Sequence, residues 1–272
     1  MAGFAVEDML LKAAARILPL GEVLVILGAA GTLAFALMTW RRRERVLHPA
    51  MLSRPLLLRA GFEVAGRLFY SLAIVLTPLS SASAILQATP LVVVAGAALI
   101  FGERVGWRRW SAIGVGFVGV LIILRPGLAG FEALSLLAVA GMLGFAGRDL
   151  ATRAAPAVLS NSQLGVCGFA MLTLAGAAIL GWTGGAVWPD AQGAGLIAGA
   201  TLVGVAAYSA LTAAMRTGEV SAVTPFRYTR LVFALILGVA VFGERPDAAT
   251  LAGAALVVAS GVYTLTRSRR AG

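Results

Sequence analysis

The chain has 272 residues, of which 60% are hydrophobic and only 12% are charged, and its mean hydropathy is +0.92. A soluble domain of this size cannot hide so much apolar surface, so soluble globular, disordered and fibrous proteins are excluded and an integral membrane protein is predicted. The formal net charge of +10 comes from basic residues between apolar runs, which indicates membrane topology and not nucleic-acid binding. A single cysteine and a single histidine exclude a disulfide framework and a metal cluster of these residues, and no cofactor is predicted.

Ten apolar runs follow one another along the chain, each near the length of about 20 residues that a membrane-spanning helix needs. Prolines, glycines or arginines separate them. The spans are expected to be helices, because every backbone polar group in lipid needs a partner within its own segment. The predicted spans are about 2–18, 21–40, 55–76, 79–101, 107–125, 131–150, 163–182, 192–215, 220–242 and 248–266.

The first run is a poor span, because it is short and holds Glu7, Asp8, Lys12 and Arg16. One interpretation is an amphipathic helix at the membrane interface. The other, which we favour, is a first transmembrane helix whose beginning is missing. A signal peptide is not expected, since there is no basic segment before the run and no cleavage-like end after it.

The loops predict the topology. Segments 41–54 and 102–109 are rich in arginine, whereas segments 127–132 and 183–191 contain no lysine or arginine. The positive-inside rule therefore places both termini in the cytoplasm, with an even number of spans between them.

The sequence Phe-Gly-Glu-Arg occurs twice, at 101–104 and at 242–245, an offset of 141 residues. Shifting 79–104 onto 220–245 gives weak internal similarity, which is typical of transporters built from two repeats with the substrate site between them. Five spans per repeat is an odd number, so the repeats are expected to be inverted relative to each other. We predict one repeat over 1–126 and the second over 127–272. The alignment superimposes Ser80 on Ser221, Ser83 on Thr224 and Gln87 on Tyr228.

Ionisable residues at membrane depth are costly and usually functional. In the third run, Arg59, Glu63, Arg67 and Tyr70 share one helical face, and Glu63 and Arg67 bracket the midplane. The alternative is a purely structural role, in which Glu63 and Arg67 pair along the helix and the other arginines extend to a membrane interface.

A polar cavity between the repeats is the functional interpretation, with an excess of arginines that favours an anionic or zwitterionic solute. Arg67, Arg227 and Arg230 are expected to face this cavity because they lack full local neutralisation. Tyr208 is the weakest candidate, since a packed aromatic residue fits equally well. The predicted substrate-binding residues are Glu63, Arg67, Tyr70, Ser83, Gln87, Tyr208, Arg227, Tyr228 and Arg230.

Five further charged residues are predicted to have gating or structural roles. Glu103 and Glu244 each follow a span and precede an arginine, so a Glu–Arg pair at a helix junction is favoured over a proton carrier. Arg148 and Asp149 close the sixth run as a gate or anchor pair. The predicted gating or structural residues are Lys12, Glu103, Arg148, Asp149 and Glu244.

The chain resembles the drug/metabolite transporter superfamily, in particular the EamA-type ten-helix transporters, over essentially its whole length. The features that carry the resemblance are Pro90, both Phe-Gly-Glu-Arg copies, Trp107-Arg-Arg-Trp110 and Leu124-Arg-Pro-Gly127. The resemblance implies two inverted five-helix repeats, a central cavity, a complete first helix, cytoplasmic termini and a bacterial inner membrane. Segment 148–153 is similar to a subgroup with riboflavin-type importers and exporters of metallophores or amino-acid derivatives.

The leading hypothesis is a secondary-active carrier that moves an amino-acid-like, carboxylate or riboflavin-like metabolite by alternating access. Its expected partners are the solute and the lipid bilayer, with protons as a candidate coupling ion. A broad-specificity exporter of cationic drugs would need an unpaired intramembrane acid, and Glu63 is the one clear candidate. An integral membrane enzyme is a remote alternative. Solute identity, direction of transport and oligomeric state are left open.

Overall fold

The computed structural model describes residues 1–102, 106–125, 132–153, 158–217 and 227–268, and all the regular secondary structure in these ranges is helical. The helices are α1 Ala2–Ala14, α2 Leu20–Arg41, α3 Arg54–Leu76, α4 Leu79–Leu86, α5 Thr89–Phe101, α6 Trp107–Leu124, α7 Ser135–Arg153, α8 Asn161–Thr183, α9 Ala191–Thr217, α10 Thr229–Phe242 and α11 Ala248–Ser268. A short 3-10 helix, Pro49–Leu52, interrupts the loop between α2 and α3. With α4 and α5 counted as one span, these helices make the ten predicted spans.

Most of the predicted bounds agree with the helices to within a few residues. Helix α8 begins at Asn161 because Ser160 and Gln163 form a capping box, in which each side chain bonds the other's backbone N–H. The first part of the ninth predicted span, residues 220–226, lies outside the described residues, and α10 accounts for the remainder.

The fourth predicted span is present as one stretch long and apolar enough to cross a membrane, Leu79–Ile100, and a turn at Gln87 and Ala88 divides it into α4 and α5. Pro90 has no N–H to donate to the Leu86 carbonyl, and the Thr89 hydroxyl donates to that oxygen at 2.5 Å. The Gln87 side-chain amide, at the break, donates to the Arg227 carbonyl at 2.7 Å. The break therefore joins the two halves of the protein near their centre.

The packing of the helices is two-fold symmetric. Helix α2 packs along α8, α6 along α11, and α4 against α10, while the contact of α3 with α7 is matched by that of α9 with α1. Exchanging the first five spans for the second five leaves this pattern unchanged. Because each half has an odd number of spans, the halves run in opposite directions through the membrane.

Four of the described spans are long and apolar enough by themselves to cross a membrane: α2, α4 with α5, α8 and α9. Helices α6, α10 and α11 contain shorter apolar stretches. Helices α1, α3 and α7 carry buried or largely buried charges, among them Glu7, Glu63 and Arg148, that face other helices of the bundle.

Helix α1 is a member of the bundle. It packs against α9 and α10 and buries Glu7, Asp8 and Lys12. An amphipathic helix at the interface would expose these charges to water, so the interfacial interpretation of the first run does not fit.

Candidate functional site

Nine ionisable side chains meet in the middle of the bundle, and we call them the central charge cluster. They come from α1, α3, α7 and the turn that begins α10, so both halves contribute. The cluster consists of Glu7, Asp8, Arg59, Glu63, Arg67, Arg148, Asp149, Arg227 and Arg230.

Glu63 is the most enclosed member, with no exposed surface. Arg67 Nε and Arg148 Nη1 each lie 3.3 Å from its Oε1, and Arg59 Nη2 lies 3.6 Å from its Oε2. A buried carboxylate is tolerable when it is paired in this way, since the unpaired ion costs several kcal/mol. The i, i+4 pairs predicted along α3 are therefore present, and α7 adds a third arginine.

Asp8 and Asp149 each hold one arginine of the α10 segment. Asp8 Oδ2 accepts hydrogen bonds from Arg230 Nη2 at 2.5 Å and from the Tyr70 hydroxyl at 3.2 Å. Asp149 lies 3.4 Å from Arg227 and 2.8 Å from Arg148 Nη2. Arg227 and Arg230 therefore have acidic partners that their own helix does not supply.

The expected excess of positive charge is smaller than the sequence predicted, because these contacts add acidic partners. The sequence places Glu63 alone against four arginines, whereas the folded cluster sets four carboxylates against five arginines. Helix packing brings in Glu7, Asp8 and Asp149 from other parts of the chain. The cluster carries about one net positive charge when all its members are ionised.

The other predicted substrate-binding residues have different surroundings. Ser83 lies 3.3 Å from the Tyr70 hydroxyl and so joins the Asp8 group. Tyr208 donates to the Leu164 carbonyl and makes edge-to-face contacts with the Phe35 and Phe169 rings, as a packed aromatic residue would.

Tyr228 is buried against Gly261. Among the described residues, its hydroxyl has no hydrogen-bond partner.

A second polar group lies at the end of the bundle where α3 stops and α4 begins, and we call it the Glu244 cap. Glu244 follows α10 and accepts hydrogen bonds from the backbone N–H groups of Leu79 and Ser80, at 2.6 and 3.0 Å, and from the Ser80 hydroxyl. Lys12 bonds both Glu244, at 3.1 Å, and the Thr77 carbonyl, at 2.7 Å. A carboxylate at a helix N-terminus is favourable because the free N–H groups carry partial positive charge.

The Glu244 carboxyl is thereby held in its ionised form. Burial raises its pKa, but the hydrogen bonds from Ser80 and Leu79 outweigh burial and hold the pKa below its usual range. Glu103, the counterpart of Glu244 in the first repeat, lies outside the described residues.

Two pockets adjoin the Glu244 cap. The larger, of about 590 Å³, is bordered by Lys12, Arg16, Phe242 and Glu132, and the smaller, of about 250 Å³, lies beside Arg125. Lys12 and Arg16 lie over the Phe242 ring, at 5.1 and 4.6 Å from its centre. Neither pocket is lined by a member of the central charge cluster.

Glu7 and Asp8 were not predicted as site residues, although a signal was present. Extending the 141-residue offset to the beginning of the chain superimposes Asp8 on Asp149 and Lys12 on Arg153. Glu7 and Asp8 fit an apolar span poorly because they are buried among arginines of other helices.

A bundle with two-fold pseudo-symmetry, spans that suit a membrane and charges between its halves is typical of multi-pass membrane transporters. The EamA-like transporter family model matches residues 1–125 and again residues 132–266. The chain belongs to the EamA-like transporter family, as its resemblance to the drug/metabolite transporters implied.

Several characterised transporters are similar to the chain. A riboflavin transporter of Rhizobium johnstonii is 30% identical over 193 residues, which are 71% of this chain and 64% of that protein. A pseudopaline exporter of Pseudomonas aeruginosa is 29% identical and covers 98% of this chain and 93% of its own. An S-adenosylmethionine uptake transporter of Rickettsia bellii is 25% identical over a stretch that covers 80% of this chain and 75% of that protein.

A protein of known crystal structure shares the fold. It covers 99% of this chain and 97% of its own, with a TM-score of 0.67 and 20% sequence identity. The likeness extends over the whole bundle.

Proposed function

We propose that the protein is a secondary-active carrier that moves a small anionic or zwitterionic organic metabolite by alternating access. The central charge cluster is the observation that carries this proposal. It lies where the two halves meet, and the side chains of Arg227 and Asp149 keep 24% and 22% of their surface exposed. Charges placed between two symmetric halves suit a solute site that each half can uncover in turn.

The pairing within the cluster favours a solute that carries its own carboxylate. Such a group can replace Asp8 on Arg230 or Asp149 on Arg227, since arginine binds carboxylates in a bidentate manner. An ammonium group on the same solute can then take the aspartate that is released, so that no buried charge is left alone. The names of the similar transporters also refer to organic metabolites.

A cation exporter fits the same geometry less well. Glu63, the acid that the sequence offers for a cation, already contacts three arginines, and each would repel a cationic drug. Glu63, Arg67, Tyr70, Ser83 and Gln87 are therefore proposed as the wall of an anion or zwitterion site. Tyr208, Tyr228, Arg227 and Arg230 complete the proposed site.

We further propose that the Glu244 cap is a gate on the outer side of a bacterial inner membrane. The arginine-rich loops favour cytoplasmic termini, an orientation in which the end of α3 lies outside. Opening this side would require Lys12 and Glu244 to leave Thr77 and Ser80. Arg148 and Asp149 would act as the gate on the cytoplasmic side of the central charge cluster to which they belong, and residues 1–126 and 127–272 would be the two moving repeats.

The test is a thermal-shift screen of the purified protein in detergent against amino acids, carboxylates, flavins and lipophilic cations. A ligand of the folded state raises the melting temperature in proportion to the logarithm of its concentration once it is in excess. We expect stabilisation by carboxylate-bearing compounds, and its loss in Arg227→Ala and Arg230→Ala. The matched control is Arg108→Ala, because Arg108 is exposed at the start of α6.

Stabilisation only by lipophilic cations, removed by Glu63→Gln, would replace this proposal with a drug exporter. Carboxylate binding that survives both arginine substitutions would move the site away from the central charge cluster.

A further inference from the structure

Glu7 is held differently from the other acids of the central charge cluster. Asp8 and Asp149 each accept hydrogen bonds from arginine, and Glu63 touches three arginines. Among the described residues, the cation within 4 Å of Glu7 is Arg67, whose Nη1 lies 3.8 Å away, beyond hydrogen-bond length.

The Glu7 side chain is nevertheless almost fully enclosed, with 4% of its surface exposed. It points at α9, where Gly204 makes room for it: a Cβ atom at Gly204 would lie 2.9 Å from the Glu7 carboxyl carbon. A buried charge that is neither hydrogen-bonded nor closely paired is costly, and a carboxyl group avoids that cost by taking up a proton.

Among the described residues, the charges that act on Glu7 belong to the same cluster. Arg67 faces it from α3 and Arg230 from α10, and Asp8 is its neighbour on α1. On the side of α9, the residue that faces Glu7 is Gly204, which carries no charge. The described charges of α2 lie at the two ends of that helix, away from Glu7. The negative neighbour favours the protonated form of Glu7, and Arg67 favours the ionised form.

We infer that Glu7 is a proton-binding residue whose protonation is linked to anion binding at Arg67, an inference that rests on the proposed function. A solute carboxylate that reaches Arg67 competes with Glu7 for the guanidinium. The displaced Glu7 carboxylate takes one proton from water, so one anion and one proton enter the site together and its net charge is unchanged. Linkage is reciprocal, so protonation of Glu7 strengthens anion binding by the same factor. The solute and the proton then move in the same direction.

Infrared spectroscopy tests the proton site without any solute. The purified protein in lipid nanodiscs is titrated from about pH 5 to 9, and the carbonyl stretch of protonated carboxyl groups is followed. We expect a band that titrates in the wild type and in Glu22→Gln, and that is absent from Glu7→Gln. Glu22 is the matched control, because it is a buried glutamate outside the cluster. Absence of the band from the wild type, or its survival in Glu7→Gln, would overturn the assignment.

The linkage has its own test. Arg67→Gln removes the positive charge that a bound anion would neutralise. Without that charge, Glu7 should bind its proton at least about tenfold more tightly, so the infrared band should titrate at higher pH. Arg67→Lys keeps the charge and should stay closer to the wild type. An unchanged titration in Arg67→Gln would overturn the linkage.

Gly204→Ala gives a second measurement in a variant that keeps every charge. The added methyl group should displace the Glu7 carboxyl and move the band, whereas Gly199→Ala, whose added atom would make an ordinary contact with Leu10, should not. A band unmoved by Gly204→Ala would contradict the placement of Glu7. Since no solute is used, a failed ligand screen with a normal titration would overturn the proposed function and the anion linkage but leave the proton site at Glu7 standing, whereas a failed titration would overturn the proton site and leave the ligand screen unaffected.

Discussion

Asp8 on the first helix and Arg230 on α10 are 222 residues apart in sequence, yet Arg230 Nη2 lies 2.5 Å from Asp8 Oδ2. Both side chains are largely buried, at 8% and 18% exposure. The pair fastens the first span to the ninth at the level of the central charge cluster.

Breaking this pair should leave a buried charge without compensation. We expect Arg230→Gln to destabilise the protein by about 3–5 kcal/mol, because Asp8 is left buried without its charged partner. Adding Asp8→Asn should restore part of that loss. Melting temperatures of the two single variants and the double variant in one detergent measure the coupling.

Arg227→Gln is the matched control for this cycle. Asp149 keeps Arg148 at 2.8 Å when Arg227 is removed, so the loss should be smaller. Equal losses in Arg230→Gln and Arg227→Gln, or a purely additive double variant, would contradict the role given to the Asp8–Arg230 pair.

The Glu244 cap should control access to the residues behind it. Glu244→Gln removes the charge that Lys12 and the first N–H groups of α4 share, an interaction of about 1.5–3 kcal/mol for hydrogen bonds to a charged group. With Cys167→Ser as background, we expect Ser83→Cys to react about tenfold faster or more with a membrane-impermeant maleimide when Glu244→Gln is present.

The control is again Glu22→Gln, in which a glutamate bonded to the Val187 N–H is neutralised. It should leave the labelling rate unchanged. Equal rates with and without Glu244→Gln would mean that the cap does not close the bundle.

Asp247 gives a pH prediction at the membrane surface. Hydrogen bonds from Arg125 and from Thr250 lower its pKa to about 2. Since the folded-state pKa is depressed, its contribution to stability is present above the unfolded value of about 3.9 and is lost as the pH falls through about 2.

The melting-temperature difference between the wild type and Asp247→Asn should therefore be constant from about pH 5 to 8. A difference that changes within this range would show that another group titrates with the pair.

The contact between α2 and α8 depends on glycines. A side chain at Gly31 would overlap the Phe169 ring, which is fully buried, so Gly31→Ala should cost about 1–3 kcal/mol through overpacking. Gly61→Ala, on the exposed side of α3 with no atom within 4 Å of the added group, should be neutral or stabilising by up to about 1 kcal/mol. Thermal melting of the two alanine variants gives the comparison, and a stable Gly31→Ala protein would show that Phe169 can move aside.

The sequence predicted much of the fold because the membrane simplifies the problem. The length of each apolar run predicts a span, and the repeated Phe-Gly-Glu-Arg predicts the two halves. The ten helices and their symmetry could therefore be predicted from local patterns. The break at Gln87 was missed even though Pro90 was visible, because a proline kinks some membrane helices and divides others according to which neighbour satisfies the released carbonyl. Here the Thr89 hydroxyl satisfies it.

The sequence by itself determined which helices carry charge, since Glu63 and Arg67 are four residues apart on one face whatever surrounds them. Only the tertiary structure decided how those charges are balanced. Asp8 meets Arg230, Asp149 meets Arg227, and Glu7 is left with Arg67 at 3.8 Å, through contacts between helices far apart in the chain. Ion pairs act over a few ångströms, and one sequence pattern cannot show which distant helices come that close.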